Sequence, residues 1–395
     1  MSPAADRPLH IGVAGPCSPK LFAADLNQSP QTLPEGLGGT PVNHLVRAWL
    51  DAGHEVTIAT LDSGVSSKEI AVFRGERLTV AVGCYRPRGR ARDAFLRERR
   101  AIAAGLLSQR PDVVSAHWSY EFALGAIATG LPTLVTVHDV PREVFKLQPS
   151  IYRGIRWLMH RAAIRGATRV AFNSPYTRAN IAPRALNSAV VLPNAIPDDQ
   201  FVLLDRDAPD SSAPRFVSVN NGFTRLKNVG SLLQAFVIVR RKARGARLRL
   251  VGRGFDNGGP ACEWARRRGL DEGVVFLGPL SYQETLAEIR AADVLVHPSL
   301  EESFGYTLIE AASVGTPVIG GRDSGAVPWV LAQGRAGRLV DVTNPVQIAN
   351  AMLTLVRNVS EWAELRHQAF RITSERFSVR KVAAAYVDVL QEMVP

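Results

Sequence analysis

The sequence predicts an α/β protein built from two consecutive doubly wound, Rossmann-like domains with parallel sheets. The chain has 395 residues, more than one ordinary hydrophobic core can organise. Short apolar runs alternate with helical patterns in both halves, which is typical of parallel sheets covered on both faces. Between the halves, residues 198–214 are rich in Asp, Ser and Pro and have little periodicity, which predicts a linker.

The first predicted domain, residues 1–197, alternates strands with helices from its start. A helix is predicted over residues 41–52, because the pattern is amphipathic and Gly53 follows it. Runs of four to six residues, too short for helices, are interpreted as buried strands. These strands cover residues 9–14, 56–60, 113–116, 133–137 and 169–172.

The second predicted domain, residues 215–378, repeats the alternation. Its predicted strands cover residues 216–219, 248–251, 274–277, 294–296, 317–319 and 338–340. The last segment, residues 379–395, has the pattern of an amphipathic helix. In open parallel sheets ligands bind beyond the carboxyl ends of the strands, so polar residues directly after these strands are the candidate site.

Composition limits the class of protein. Apolar residues make up 46% and charged residues 21% of the chain, as in soluble globular proteins. The three cysteines, Cys17, Cys84 and Cys262, have no metal-binding spacing, and so few of them indicate a reducing compartment. The start lacks the pattern of a signal peptide, and the longest apolar stretch, residues 122–137, is interrupted by glycine and proline. We therefore expect a cytoplasmic protein.

The net charge of +11 comes largely from arginine. Arg153, Arg156 and Arg161 share residues 151–165 with apolar side chains at helical spacing, which predicts an amphipathic basic helix. Such a helix could lie on an anionic membrane surface or attract a lipid diphosphate. Alternatively, it packs by its apolar stripe and its arginines are solvated. No recognition motif accompanies the charge, so we do not expect nucleic acid binding.

One block of the second half carries the most chemical information. Glu302 and Glu310 bracket the turn Ser303-Phe304-Gly305, and Tyr306 begins a predicted helix after the strand at 294–296. A turn of small residues before a helix offers backbone N–H groups and a positive dipole end to an anion. Carboxylates repel phosphate but accept short hydrogen bonds from hydroxyl groups. Hydroxyl groups on both sides of a diphosphate are found in nucleotide sugars.

This block resembles the Glu-x7-Glu signature of retaining glycosyltransferases of family 4, which have the GT-B fold. Other landmarks of that family follow in its order, from about residue 9 to about residue 345. They are Gly38-Gly39, Gly53-His54-Glu55-Val56, Val135-Thr136-Val137-His138-Asp139, Leu192-Pro193-Asn194, Lys227-Asn228, Leu250-Val251-Gly252 and Phe276-Leu277-Gly278. The resemblance implies two Rossmann-like domains that face each other across a cleft, with the C-terminal helix packed back on the first domain.

The resemblance also implies roles for the candidate residues. Glu302 binds hydroxyl groups of the transferred sugar, Glu310 binds the ribose, and His138 helps to align the anomeric carbon. Lys227 stabilises charge on the diphosphate. The remaining donor-binding candidates are the glycine loop, the turn, and the positions near the base: Gly38, Gly39, Ser303, Phe304, Gly305, Tyr306, Arg253 and Gly278. His117 is interpreted as an acceptor-side or structural residue.

The sequence departs from the family pattern at two positions. The family usually has an arginine five or six residues before the lysine, where this chain has Asn221 and Gly222. Either Arg225 replaces it, or diphosphate contact relies on Lys227 and the turn. Trp329 stands where the family has a glutamate, and it either packs structurally or lines an acceptor channel.

The leading hypothesis is therefore a retaining glycosyltransferase that moves a hexose to a saccharide or lipid-linked acceptor in polysaccharide or glycoconjugate biosynthesis. Gly252-Arg253-Gly254 and Gly278-Pro279 allow close approach of a small base, so we favour a UDP-hexose over GDP-mannose. The motifs contain no Asp-x-Asp pair or metal-binding cluster, so we expect no metal and no cofactor. A GDP-mannose-dependent mannosyltransferase and a non-catalytic relative that binds nucleotide sugars are the alternatives.

Overall fold

The structure is a computed structural model that describes residues 7–66, 69–181 and 189–394. These residues form two compact units. One contains the described residues up to Ala195 together with those from Val379 onward, and the other is Ile196–Ser378. Residues 198–214 do not stand apart as a linker. They belong to the second unit, where Val202 N–H donates to Ser313 O and Arg206 pairs with Asp293.

The first unit is built on an eight-stranded sheet with the order β3-β4-β2-β1-β5-β6-β7-β8. All neighbours pair in parallel except β3 and β4, which are antiparallel at one edge. The strands are β1 (His10–Ala14), β2 (Glu55–Asp62), β3 (Ala71–Arg74), β4 (Leu78–Cys84), β5 (Val113–His117), β6 (Thr133–Val137), β7 (Arg169–Phe172) and β8 (Val190–Val191). The helices before the second unit are α1 (Thr40–Asp51), α2 (Leu96–Leu107), α3 (Glu121–Ile127), α4 (Pro141–Leu147), α5 (Ile151–Gly166) and α6 (Pro175–Ile181).

The second unit is built on a six-stranded parallel sheet with the order β11-β10-β9-β12-β13-β14. Its strands are β9 (Arg215–Val219), β10 (Arg247–Val251), β11 (Val274–Gly278), β12 (Val294–His297), β13 (Val318–Gly321) and β14 (Arg338–Val340). The helices are α7 (Val229–Lys242), α8 (Pro260–Arg266), α9 (Tyr282–Ala291), α10 (Tyr306–Ser313), α11 (Val327–Val330), α12 (Pro345–Arg357) and α13 (Val359–Phe377). The predicted fold class, two α/β units with parallel sheets, is confirmed.

The chain returns to the first unit through its last helix, α14 (Val379–Gln391). Val382, Ala383, Tyr386 and Leu390 lie in the core that surrounds β1 and α1. The indole of Trp49 donates to Ala383 O at 3.2 Å, and the Tyr386 hydroxyl donates to Thr136 Oγ1 at 3.2 Å. Helix α14 therefore completes the core of the first unit.

Helix α5 faces the core with a different side from the one its pattern predicts. Its buried residues are Met159, His160 and Ala163, whereas Ile151 is 86% and Leu158 62% exposed. Arg156 is not solvated, because its guanidinium lies 3.6 Å above the Tyr120 ring and 3.3 Å from Glu121 Oε2. The predicted apolar stripe is therefore not the packed face, and Arg156 is held by contacts within the protein, whereas Arg161 and Arg165 are exposed as the alternative expected. Among the described helices, none has both the length and the apolar character that a membrane span requires.

Candidate functional site

The second unit contains a cavity of about 500 Å³ at the carboxyl ends of strands β9 to β12. Parallel strands end at one edge of their sheet, so the residues that follow them converge there. Of the predicted site residues, the cavity lining includes Lys227, Arg253, Glu302, Gly305 and Tyr306. It also includes residues that the sequence analysis did not select: Asn220, Asn221, Thr285, His297 and Thr307.

The carboxylate of Glu302 contacts two other residues of the cavity lining. Lys227 Nζ lies 2.6 Å from Glu302 Oε1, and His297 Nε2 lies 3.1 Å from the same oxygen. Burial alone would raise the pKa of Glu302, but the charge of Lys227 and the hydrogen bond from His297 together hold it well below its usual range. Glu302 is therefore an ionised carboxylate with two donors.

The loop that carries Glu302 is fixed from both sides. Glu302 O accepts from the N–H of Ala326 at 2.8 Å, and Ser299 O accepts from the hydroxyl of Ser324 at 2.6 Å. The Asn228 amide donates to Pro298 O and to Val342 O, just before α7 begins. Three paired carbonyl groups leave the loop little freedom, so the position of Glu302 is preorganised.

The predicted anion-binding turn has the expected backbone geometry at its end. Gly305 has φ of 83° and precedes α10, a conformation that costs other residues energy. The positive end of the dipole of α10 lies at this turn, and Gly305, Tyr306 and Thr307 line the cavity. Phe304 lies elsewhere, since its side chain is 3% exposed and packs on Phe377 with the ring centroids 5.4 Å apart.

Trp329 belongs to the same aromatic cluster as Phe304. Its ring centroid lies 6.2 Å from that of Phe304 and 5.7 Å from that of Phe377. The guanidinium of Arg376 covers the indole at 4.6 Å and donates to Trp329 O. Of the two roles that the sequence left open for Trp329, structural packing is the one the structure supports.

Glu310 lies on α10 and is 7% exposed. Its carboxyl group makes no hydrogen bond or ion pair with other described residues, and burial raises its pKa to about 7. Glu310 is not among the residues that line the cavity. The pKa values of the two glutamates of the sequence motif are therefore shifted in opposite directions.

The remaining donor-binding candidates differ in their access to the cavity. Arg253 is exposed and lines it, whereas Arg225 is exposed and lies outside the lining. Gly278 N–H donates to Phe255 O at 2.8 Å, and the following residue, Pro279, lines the cavity. Ser303 lies in the turn but is not part of the lining.

In the first unit, His138 and His117 form a buried pair at the carboxyl ends of β6 and β5. His138 Nε2 lies 3.1 Å from His117 Nδ1, and His117 Nε2 lies 3.2 Å from Ser115 Oγ. Burial lowers the pKa of His138 to about 3, and burial together with the neighbouring ring lowers that of His117 well below its usual value. Both rings are therefore neutral at pH 7, and the Trp118 ring stacks on His138 at 4.3 Å.

The glycine loop before α1 lies near this pair. Gly39 has φ of 79°, and a Cβ there would lie 2.0 Å from Pro16 O, so only glycine fits. Gly38 O accepts from the Asn43 amide at 3.2 Å. Gly15, next to Pro16, approaches the His117 Cβ. The loop and the histidines therefore meet around the end of β1, as the order of the strands predicts.

Within the described ranges, the His, Cys, Asp and Glu side chains form no group of three that could hold a metal ion. The expectation of a metal-independent reaction remains a prediction.

Two family models match consecutive parts of the chain. "Glycosyltransferase Family 4" matches residues 39–200, and "Glycosyl transferases group 1" matches residues 213–358. Together they cover most of both units. The chain carries two glycosyltransferase domains, the first of which matches family 4. The prediction that it is a glycosyltransferase is confirmed, and the two models divide the chain near the boundary between the units.

Individual proteins agree with this assignment. The D-inositol 3-phosphate glycosyltransferase of Saccharomonospora viridis is 32% identical over 175 residues, which are 42% of this chain and 40% of that enzyme. The chain spans between 20% and 44% of the length of the curated relatives that it matches. Among solved structures, sucrose-phosphate synthase from Thermosynechococcus elongatus has a TM-score of 0.75 at 18% identity and covers 98% of this chain and 99% of its own. Anabaena HepE in complex with UDP and glucose has a TM-score of 0.66 at 17% identity, with 97% and 100% covered. These likenesses establish the GT-B fold.

Proposed function

We propose that this glycosyltransferase takes a hexose from a nucleoside diphosphate sugar, with a UDP-hexose as the favoured donor. The observation that carries the proposal is the cavity of the second unit. It combines one ionised carboxylate, Glu302, with the cations Lys227 and Arg253 and with the first turn of α10. Cations and backbone N–H groups suit a diphosphate, and a carboxylate suits the hydroxyl groups of a sugar.

The preference for UDP draws on two observations. The cavity volume of about 500 Å³ is within the range of small-ligand sites, and Gly252 and Pro279 in its lining carry small side chains. The structural neighbour HepE is described as a complex with UDP and glucose. Glu310 would accept hydrogen bonds from the ribose, as the resemblance to the family implies.

The acceptor is proposed to be a saccharide or a lipid-linked saccharide in polysaccharide or glycoconjugate biosynthesis. The curated relative from Saccharomonospora viridis is named for inositol 3-phosphate, which makes a phosphorylated polyol a further acceptor to test. His138 is proposed to hydrogen-bond the transferred sugar. Because the ring is neutral at pH 7, it offers a hydrogen bond without placing a charge next to the reacting carbon.

We further propose that transfer retains the anomeric configuration and needs no metal. The bond between the anomeric carbon and the diphosphate breaks, the acceptor oxygen bonds to the same face, and the departing diphosphate takes the acceptor's proton. Lys227 and the N–H groups of α10 stabilise the charge that develops on the diphosphate. Glu302 is a poor proton acceptor because its pKa is held low, so it binds hydroxyl groups instead of acting as a general base.

Equilibrium titration with UDP and GDP, followed by product analysis with UDP-glucose, tests the proposal. We expect tighter binding of UDP and release of UDP from UDP-glucose. A product with the α configuration from this α-linked donor would support retention. Tighter binding of GDP would overturn the donor preference, and the absence of binding by any nucleotide sugar would overturn the proposal as a whole.

Membrane contact through α5 is proposed as well. The exposed side chains of Ile151 and Leu158 lie on the same helix as the exposed Arg161 and Arg165, a combination suited to an anionic surface. Arg156 is unsuitable for the test, because its contacts with Tyr120 and Glu121 are structural. Arg161→Glu with Arg165→Glu should abolish sedimentation with anionic vesicles at low salt. Equal sedimentation of this variant and the wild type would contradict the proposal.

A further inference from the structure

Glu302 is held by only one of its two carboxylate oxygens. Lys227 Nζ and His297 Nε2 both bind Oε1, at 2.6 Å and 3.1 Å. No other described residue makes a hydrogen bond to Oε2, and the side chain remains 15% exposed in the wall of the cavity. One oxygen is therefore fixed by the protein, and the other is available to a ligand.

The hydrogen bond from His297 defines the form of its ring. An ionised carboxylate only accepts, so Nε2 must carry the proton. The other nitrogen, Nδ1, is buried and has no hydrogen-bond partner in the described parts of the chain. The contact with Glu302 therefore places a hydrogen on Nε2.

Burial gives His297 less freedom to move than Lys227 has. A diphosphate in the cavity attracts the ammonium group of Lys227 and weakens its contact with Glu302. His297 has no comparable freedom to leave Glu302. It is 3% exposed and lies at the end of β12, so its ring has little room to turn away. When the donor is bound, His297 is the contact that keeps Glu302 oriented.

We propose that His297 is a positioning residue, whose Nε2–H holds Oε1 of Glu302 so that Oε2 faces a hydroxyl group of the transferred sugar. This inference rests on the proposed function and names how its central carboxylate is oriented. Ordering a freely rotating carboxylate would cost free energy each time a donor binds, because rotational entropy is lost. With Oε1 fixed, Oε2 can accept a hydrogen bond that strengthens as the sugar becomes more positive in the transition state.

His297→Phe, which keeps a planar ring and removes both nitrogens, is the main test. With UDP-glucose at saturation, we expect its rate of hydrolysis to fall by about ten- to one-hundredfold. The affinity for UDP, which lacks the sugar, should stay within about twofold of wild type. His297→Gln can place an amide N–H near the position of Nε2 and should restore most of the rate.

His54→Phe is the matched control. His54 is also buried, and its Nδ1 accepts from Leu9 N–H at 3.0 Å in the first unit. Its loss removes a comparable buried hydrogen bond without touching Glu302, so it should lower stability and leave the rate at saturation unchanged. An unchanged rate in His297→Phe, or equal losses in His297→Phe and His54→Phe, would overturn the inference.

A second measurement is independent of activity. ¹⁵N NMR of the histidine side chains, with His297 assigned by its loss in His297→Phe, should show hydrogen on Nε2 and a shifted signal in Glu302→Gln. Hydrogen on Nδ1 alone, or a signal that Glu302→Gln leaves unchanged, would overturn the inference even if the enzyme is active. A wild type that neither binds nor hydrolyses UDP-glucose would contradict the proposed donor, while the NMR result would still decide the His297 contact.

Discussion

The two units contain contrasting clusters at equivalent positions, beyond the carboxyl ends of their central strands. In the first unit, His138 and His117 are buried, hydrogen-bonded to each other and neutral. In the second, Glu302 is partly buried and stays ionised because Lys227 lies beside it. Burial disfavours charge in both places, and only the presence of a partner makes the difference.

This contrast suggests a division of chemistry between the units. A neutral cluster such as His117 and His138 can bind an uncharged sugar without attracting phosphate. A cluster that contains the cation Lys227 can offset the negative charge of a diphosphate. Glu310 shows that the rule operates within a single unit. Glu310 lies on α10, the helix that follows Glu302 in sequence, and has no cationic partner among the described residues. Burial therefore raises its pKa to about 7.

The largest effect should follow from removing the charged cluster's carboxylate. Glu302→Ala deletes the oxygen that we propose accepts the sugar hydroxyl, so turnover should fall by roughly two to three powers of ten. Steady-state kinetics with the preferred nucleotide sugar measures this, and Glu364→Ala, an exposed carboxylate on α13, is the control. Near-wild-type turnover in Glu302→Ala would mean that the carboxylate of Glu302 is not needed for the reaction.

Glu310→Gln tests the effect of burial without a partner. Its folded-state pKa of about 7 lies above the ordinary 4.5, so between these values the folded protein binds the extra proton. Its contribution to stability is therefore full below pH 4.5 and is lost as pH rises to 7. Urea unfolding should show Glu310→Gln to be more stable than wild type at pH 8, by up to about 3 kcal/mol, but not at pH 4.5. A difference that does not change with pH would contradict the raised pKa.

His138→Phe tests the neutral cluster. We expect turnover to fall by about tenfold, because a hydrogen bond to the sugar is lost. The lowered pKa adds a second readout. Unfolded histidine binds a proton near pH 6.5 and folded His138 does not, so stability is lost as pH falls below 6.5.

At pH 5 this loss amounts to about 2 kcal/mol for one such histidine. His138→Phe should therefore lose less stability than wild type between pH 7 and pH 5 in urea unfolding. Equal losses would mean that His138 is protonated in the folded protein, and the contrast between the two clusters would fail.

The smallest effects concern the two exposed arginines. Arg253→Ala removes a cation from the cavity wall and should weaken UDP binding by about fivefold, which isothermal titration can measure. Arg225→Ala should stay within twofold of wild type, since Arg225 lies outside the lining. A larger loss in Arg225→Ala would restore it as the substitute for the family's missing arginine.

Most of the regular structure was predictable, because the central strands are short apolar runs between helical patterns. Each predicted strand agrees with an observed one to within two residues at either end. Strands β3, β4 and β8 were missed. Ala71–Arg74 is only half buried at the sheet's antiparallel edge, and Val190–Val191 has only two residues, but Leu78–Cys84 is a buried apolar run that the prediction overlooked. The buried face of α5 was predicted wrongly, because helical spacing identifies an apolar stripe but not the neighbouring element that packs on the helix.

The site was predictable only in part. A motif identifies Glu302, but Lys227 is 75 residues away in sequence and nothing local indicates that the two pair. His297 was not selected from the sequence, and only its distance to Glu302 indicates a role. Its position at the end of a buried strand that leads into the motif was the available signal. The pairing of His117 with His138 likewise depends on β5 and β6 being neighbours in the sheet.

The return of α14 to the first unit has a consequence for synthesis on the ribosome. The second unit is continuous in sequence, whereas the first unit needs residues from both sides of it. The first unit lacks Tyr386, and with it the hydroxyl that binds Thr136 beside the histidine pair, until that helix has been made and has packed in place. The histidine pair is thus fully enclosed only after residues 379–391 have left the ribosome.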